Sequence, residues 1–356
     1  MRHLTWFVVI GMSLLPAPPV RAGLYNLSEP VSGPAASGKA VEAMPFAAFR
    51  NHLIQFIQIG NAQVDNEARK RYLERRDELE RKHRRGTLSP EEAVDLSAYL
   101  IRLKQYDAAV ELLNPLARER GRDNYFVISN LITAHFLNGQ LPLASAYLFQ
   151  VEKTRPPAQG TINQVQADWF AGVEPYFWKL IRLRRTEGRS SPAGGQKPGH
   201  TLDDLFGVRF VGDSGQYEPG KLVAAERAKL PKDALAIVQQ LVLWLPDDTR
   251  LYWLLGELLN AQGDLADANV VLDECRRNRR FDAEELQQHH RLIKEALAAA
   301  APAAPEVPML PSEEPASSWF TGKSHLLIGG AVVAVVVILL GYLQIRELRR
   351  RGLKGR

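Results

Sequence analysis

Phe46, Phe49, Leu53, Phe56 and Ile57 recur at intervals of three and four residues, the spacing of one apolar face on an α-helix. The following ARKRYLERRDELERKHRR keeps a helical pattern with only Tyr72 and Leu79 as its main apolar anchors. Nine cations between Arg69 and Arg85 mingle there with six anions between Asp65 and Glu80, the pattern of a solvated face rather than a binding arm. TLSPEE then opens a further helix, with Ser89 as N-cap, Pro90 at the first helical position and Glu92 closing a capping box. Helical spacing continues through QADWFAGVEPYFWKLIRLRR and ends in AEELQQHHRLIKEALAAA, whose polar face suits a terminal helix. LFGVRFV, Leu205 to Val211, suits a short extended segment. The expected fold class is all-α.

Two apolar runs stand outside this pattern. At the start, Arg2 precedes an uncharged run from Leu4 to Leu15, then prolines and Val20-Arg21-Ala22. That run is too short for about 30 Å of hydrocarbon and reads as a signal peptide over residues 1–22, cleaved after Ala22. An uncleaved anchor is the alternative. Near the end, Leu326 to Ile345 is an uncharged stretch of twenty residues, which at about 1.5 Å per residue matches a bilayer core. A transmembrane helix is expected over 325–345, and the basic tail 346–356 is its cytoplasmic flank. Prolines at 302, 305, 308, 311 and 315 make 301–324 an extended stalk. Together these features predict a single-pass membrane protein with residues 23–324 outside the cytoplasm, in the periplasm if the source is bacterial.

The helices carry an internal period. A 34-residue frame from Thr249 sets Tyr252, Leu255, Gly256, Leu259, Gly263, Ala268, Leu272 and Cys275 at apolar or small positions. A frame from Tyr125 gives Ile128, Leu131, Gly139, Ala144, Leu148, Val151 and Pro156. Frames from Pro90 and Gly215 share part of the pattern, and the Gly215 unit has only its second half in regular form. The physical content is close approach of paired helices. Gly256 and Ala268 lack bulk where helices meet, Gly263 suits the turn, and Pro156 and Pro246 stop the second helices. The pattern resembles the tetratricopeptide repeat over four units. Ser97, Ile132 and Leu222 depart from it at the small eighth position, and Glu218 at an apolar one.

The resemblance implies a helical-hairpin solenoid whose first helices line a concave protein-binding groove. Its groove positions fall on Ser129, Thr133 and Phe136 in the second unit, and on Arg250, Trp253, Glu257 and Asn260 in the fourth. Trp253 has a second reading, as core packing near Trp244 or Leu245. Val94 and Ala98 stand where a chaperone-tail clamp would need Lys and Asn. The resulting organisation is a flexible N-terminal segment at 23–40, N-terminal helices at 41–86, and a first repeat pair with an aromatic capping helix at 87–184. A flexible linker at 185–204 joins it to a second pair with closing helix at 205–300.

Composition narrows the chemistry. The formal net charge is +5, and Arg346 to Arg356 hold six cations against Glu347, so the preceding residues sum to zero. No basic patch for nucleic acid is implied. Cys275 is the only cysteine, which excludes an internal disulfide and reads as a small core residue. GPAASGKA, Gly33 to Ala40, has phosphate-loop spacing but Ala40 where the magnesium ligand belongs, and no buried strand before it. GGQKPGHT, Gly194 to Thr201, is weaker. His289 and His290 point about 100° apart on a helix and cannot share a metal. No nucleophile–base pair is visible. The expectation is therefore a membrane-tethered protein-binding scaffold, neither an enzyme nor a binder of cofactor, metal, nucleotide or nucleic acid. A structural or assembly factor of an envelope complex, a hydrolase with an unrecognised site, and a transmembrane sensor are the alternatives.

Overall fold

The computed structural model describes residues 23–37, 39, 41–120, 125–151, 156–187 and 199–300. The expected signal peptide, stalk, membrane span and basic tail lie outside the described residues. No described helix is long and apolar enough to cross a membrane. The fold is all-α. Among the described residues there is no β-strand, only an isolated bridge between Gln159 and Ile162.

The helices are α1 Phe46–Gly60, α2 Glu67–Arg84, α3 Pro90–Arg102, α4 Tyr106–Arg120, α5 Tyr125–Leu137, α6 Leu141–Val151 and α7 Gln164–Glu187. They continue with α8 Ala224–Arg227, α9 Ala234–Trp244, α10 Thr249–Gln262, α11 Leu265–Arg277 and α12 Glu284–Ala300. Sequence neighbours pack together as antiparallel partners would, α3 on α4, α5 on α6, and α10 on α11. Local chemistry explains the boundaries. The Ser89 hydroxyl accepts the Glu92 amide while the Glu92 carboxylate accepts the Ser89 amide, with Pro90 behind them. The first half of the Gly215 unit is loop and the four-residue α8, and only α9 is regular.

Gly256 shows why the α10–α11 pair needs a missing side chain. A Cβ there would meet Leu272 Cδ2 at 2.9 Å and Val271 Cγ1 at 3.0 Å, closer than ordinary contact. Gly263 closes α10 in the left-handed region at φ +92° and lets the chain fold back into α11. Cys275 is fully buried, and burial pushes its thiol up to about 12. It is a core residue.

The expected flexible N-terminal segment is packed over residues 23–37, and so are the described ends of the expected linker. Residues 23–37 lie against the helices, with Tyr25 only 1% exposed. They have no helical or strand period, yet their backbone finds partners on side chains, which a buried irregular segment requires. In the 185–204 region, α7 runs on to Glu187, and Asp203 is buried against Arg184 and Arg250. These guanidiniums pin the expected linker where it is described.

The two halves also touch more than a jointed chain would. The aromatic helix α7 packs on both α6 and α9, and α1 reaches across to α9. Arg50 on α1 pairs with Glu274 on α11, and the Arg102 guanidinium lies 3.8 Å over the Phe56 ring while bonding the Leu243 carbonyl at 2.6 Å.

Gly256→Leu is expected to destabilise the protein by about 3 kcal/mol through overpacking. Ala298→Leu, on an exposed turn of α12, serves as the comparison. Chemical denaturation checks this: equal midpoints for the two variants would contradict the assigned helix contact.

Candidate peptide-binding face

Asp95 on α3 and Asn130 and Thr133 on α5 are buried polar side chains on neighbouring helices. Buried polar groups need partners, and theirs is the backbone of the N-terminal segment. The Asn130 amide acts in both directions: Oδ1 accepts the Tyr25 N–H at 2.8 Å, and Nδ2 donates to the Tyr25 carbonyl at 2.8 Å. Ser97 Oγ also accepts from Nδ2 at 2.9 Å and orients the amide. Thr133 donates its hydroxyl to the Gly23 carbonyl at 2.8 Å. Asp95 Oδ1 accepts the Leu27 amide at 2.5 Å and the Ser28 amide at 3.3 Å. Burial raises the Asp95 carboxyl above its ordinary value, against the pull of these donors. On the far side, the Leu27 carbonyl accepts the Thr161 amide at 2.9 Å. The segment is thus held largely by its main chain, which bends at residues 27–29.

Its one large side chain supplies the rest. The Tyr25 ring sits edge-on to Phe126 at 5.1 Å, Phe170 at 5.4 Å and Tyr125 at 5.9 Å, with Trp244 at 6.1 Å. These rings come from α5, α7 and α9, and edge-to-face pairs of this kind contribute about 1 kcal/mol each beyond area burial. The Tyr25 and Tyr125 hydroxyls both donate to Glu174 Oε1 on α7. Burial first, then the Glu174 charge, raises both phenols well above their ordinary range, so both remain protonated donors. Gly23 has no room for a side chain, since a Cβ would meet Trp244 at 2.8 Å.

The sequence-predicted residues divide into groups. Thr133 touches the segment. Ser129 is buried beside it, its carbonyl accepting the Thr133 hydroxyl at 3.1 Å. Phe136 packs edge-on to Phe177 at 5.4 Å. Arg250 forms a two-pronged pair with Glu187, both contacts at 2.7 Å, and reaches Asp203 at 2.9 Å. Phe136 and Arg250 share the wall of an open cleft with Tyr106 and Phe281. Trp253 is fully enclosed, its ring 6.1 Å from Phe281 and its Nε1 donating to Glu257 at 2.6 Å. As it stands, Trp253 offers a partner no surface. Glu257 also contacts His289 Nδ1 at 2.8 Å, and Tyr217 stacks on His289 at 3.6 Å. Asn260 Oδ1 accepts the Gly220 amide at 2.8 Å. The α10 face is therefore covered by residues 217–220, as the α3–α5 face is covered by residues 23–29.

Asn130, Asp95 and Glu174 escaped the sequence reading. Asn130 adjoins Ser129 on the same helix, and Asp95 holds the equivalent place beside Val94. Two amide- or carboxylate-bearing residues 35 positions apart were the available signal. Among the described residues no group of three His, Cys, Asp or Glu could hold a metal ion. Set against protein-family models, curated proteins and solved structures, the chain matches none of them.

Tyr25→Ala is expected to cost about 3–5 kcal/mol, as for other buried aromatics. Tyr25→Phe keeps the ring, removes one donor to Glu174, and is expected to cost about 1–3 kcal/mol. Denaturant unfolding of both variants checks this ordering. Wild-type stability in Tyr25→Ala would show that the ring is not in the core.

Proposed function

We propose that the chain is an exported, membrane-tethered helical module that binds extended segments of other proteins outside the cytoplasm. In this reading the helices form a tetratricopeptide-like solenoid, α3, α5 and α10 are first helices of its units, and their shared face is the binding groove. The apolar runs at residues 1–22 and 325–345 support export and anchoring, and the cations after Ile345 support a cytoplasmic tail. Asn130 carries the functional reading. A buried carboxamide that bonds both the N–H and the carbonyl of one extended residue grips any peptide by features common to all sequences, and this is the chemistry of peptide capture. Binding rather than catalysis is the role proposed, with no cofactor.

The test is site-specific photo-crosslinking in native membranes. With the photoreactive residue in place of Thr133, the reading predicts adducts to another polypeptide. At Lys294, on the exposed side of α12, it predicts none. Intramolecular products alone at Thr133, or the same adducts at both sites, would contradict it.

A further inference from the structure

We infer that residues 23–29 are a self-ligand: the α3–α5–α7 face takes extended peptides of the pattern Gly-apolar-Tyr-x-apolar, and the chain's own Gly23–Glu29 holds that site closed until a competing segment displaces it. This rests on the peptide-binding reading above and adds to it the ligand class and its regulation.

Three observations carry it. The first is where selectivity resides. The hydrogen bonds from Asn130, Thr133 and Asp95 go to main-chain atoms of Gly23, Tyr25, Leu27 and Ser28, so any extended peptide could make them. Side-chain demands arise at five places, two of them Leu24, which is 8% exposed in the core, and Glu29, whose Oε2 accepts the Tyr72 hydroxyl at 2.8 Å. At Gly23, Trp244 excludes a Cβ. At Tyr25, four aromatic rings surround the side chain and the Glu174 carboxylate accepts its hydroxyl. At Leu27 the side chain is 6% exposed, and the carbonyl lies against Gly160, where a Cβ would approach that oxygen to 2.2 Å. Between them Ser28 is exposed, and the half-buried Asn26 turns its side chain back on the segment, its Oδ1 accepting the Ser28 amide at 3.0 Å and the Glu29 amide at 3.1 Å.

The second observation is that the segment belongs to no helix or strand. Its departure would break no ladder of backbone hydrogen bonds. What it would expose, a cage of aromatic rings, is costly to leave open in water. A site of that kind needs an occupant, and the occupant that replaces Gly23–Glu29 must reproduce its tyrosine.

The third is a separate anchor behind the segment. Gln239 on α9 repeats the two-way grip on Met44, accepting its N–H and donating to its carbonyl, both at 2.8 Å. Gly33, at φ +120°, lies between the two grips in a conformation that favours glycine. Residues 23–29 can therefore leave while Met44 stays fixed, and the intervening chain acts as a tether. A tethered competitor acts at high effective concentration, so a ligand in solution meets a largely blocked site.

The experiment measures binding of a fluorescent synthetic peptide, GLYNLSE, to the full-length protein in detergent micelles by fluorescence anisotropy. Wild type is expected to bind weakly, and Tyr25→Ala at least tenfold more tightly, because its own segment no longer competes. Adding Asn130→Ala to Tyr25→Ala should abolish this gain. The peptide with phenylalanine for tyrosine should bind Tyr25→Ala at least fivefold more weakly. If Tyr25→Ala loses its helical circular dichroism, Leu27→Ala takes its place, with at least a threefold gain expected. Equal affinity for wild type and the folded variant, or equal affinity for the two peptides, would overturn the inference. Adducts at Thr133 in membranes together with no peptide binding would leave the peptide-binding reading standing and remove only the self-ligand.

Discussion

The fold depends on one insertion: Tyr25 enters a cage built by α5, α7 and α9 while its main chain is gripped by Asn130. The ring joins helices that are far apart in sequence. Asn130 is 105 residues from Tyr25 and Glu174 is 149. Without the insertion, α5 would present Asn130 and Thr133, α3 would present Asp95, and α7 would present Glu174 to an empty apolar slot. Tyr125 would still donate to Glu174 and Ser97 would still accept from Asn130, but Asn130 Oδ1 and Asp95 Oδ1 would lose the amides they accept, at about 1–3 kcal/mol each, more for the charged one. The segment resolves this with its backbone, which offers donor and acceptor at alternate atoms.

The same solution occurs three times. Asn130 grips Tyr25, Gln239 grips Met44, and Asn260 accepts the Gly220 amide. In each case a carboxamide on the inner side of a helix meets an irregular stretch of the same chain. Carboxamides suit this because they carry donor and acceptor without a charge to desolvate. Charged groups are used where they can be paired: Arg184 lies between Asp203 and Asp248, and although burial opposes its charge, the two carboxylates outweigh that and hold the guanidinium above its ordinary value.

What the sequence revealed follows the range of the interactions. The capping box at Ser89, the close approach at Gly256, the left-handed Gly263 and the core place of Cys275 were all legible, because each is decided by residues within a turn or by a helical period. Ser129 and Thr133 were reached through the repeat resemblance, as groove positions. That this face is filled was not legible, because GLYNLSE has no period of its own and its partners on the helices lie 43 or more positions away. Absence of periodicity was read as flexibility, and the side chains that correct it stand on other helices. Asp203 escaped for the same reason, since Arg184 and Arg250 flank it from either side of the sequence. Trp253 was left between groove and core, and its partners, Glu257 and Phe281, decide where it lies.

Amide hydrogen exchange of the full-length protein tests the central claim most directly. If Asn130 and Asp95 hold the segment in place, the Tyr25 and Leu27 amides exchange at least a hundredfold more slowly than the same amides in the free GLYNLSE peptide, and Asn130→Ala restores fast exchange at Tyr25. Exchange of both amides at the free-peptide rate in the wild-type protein would contradict the account.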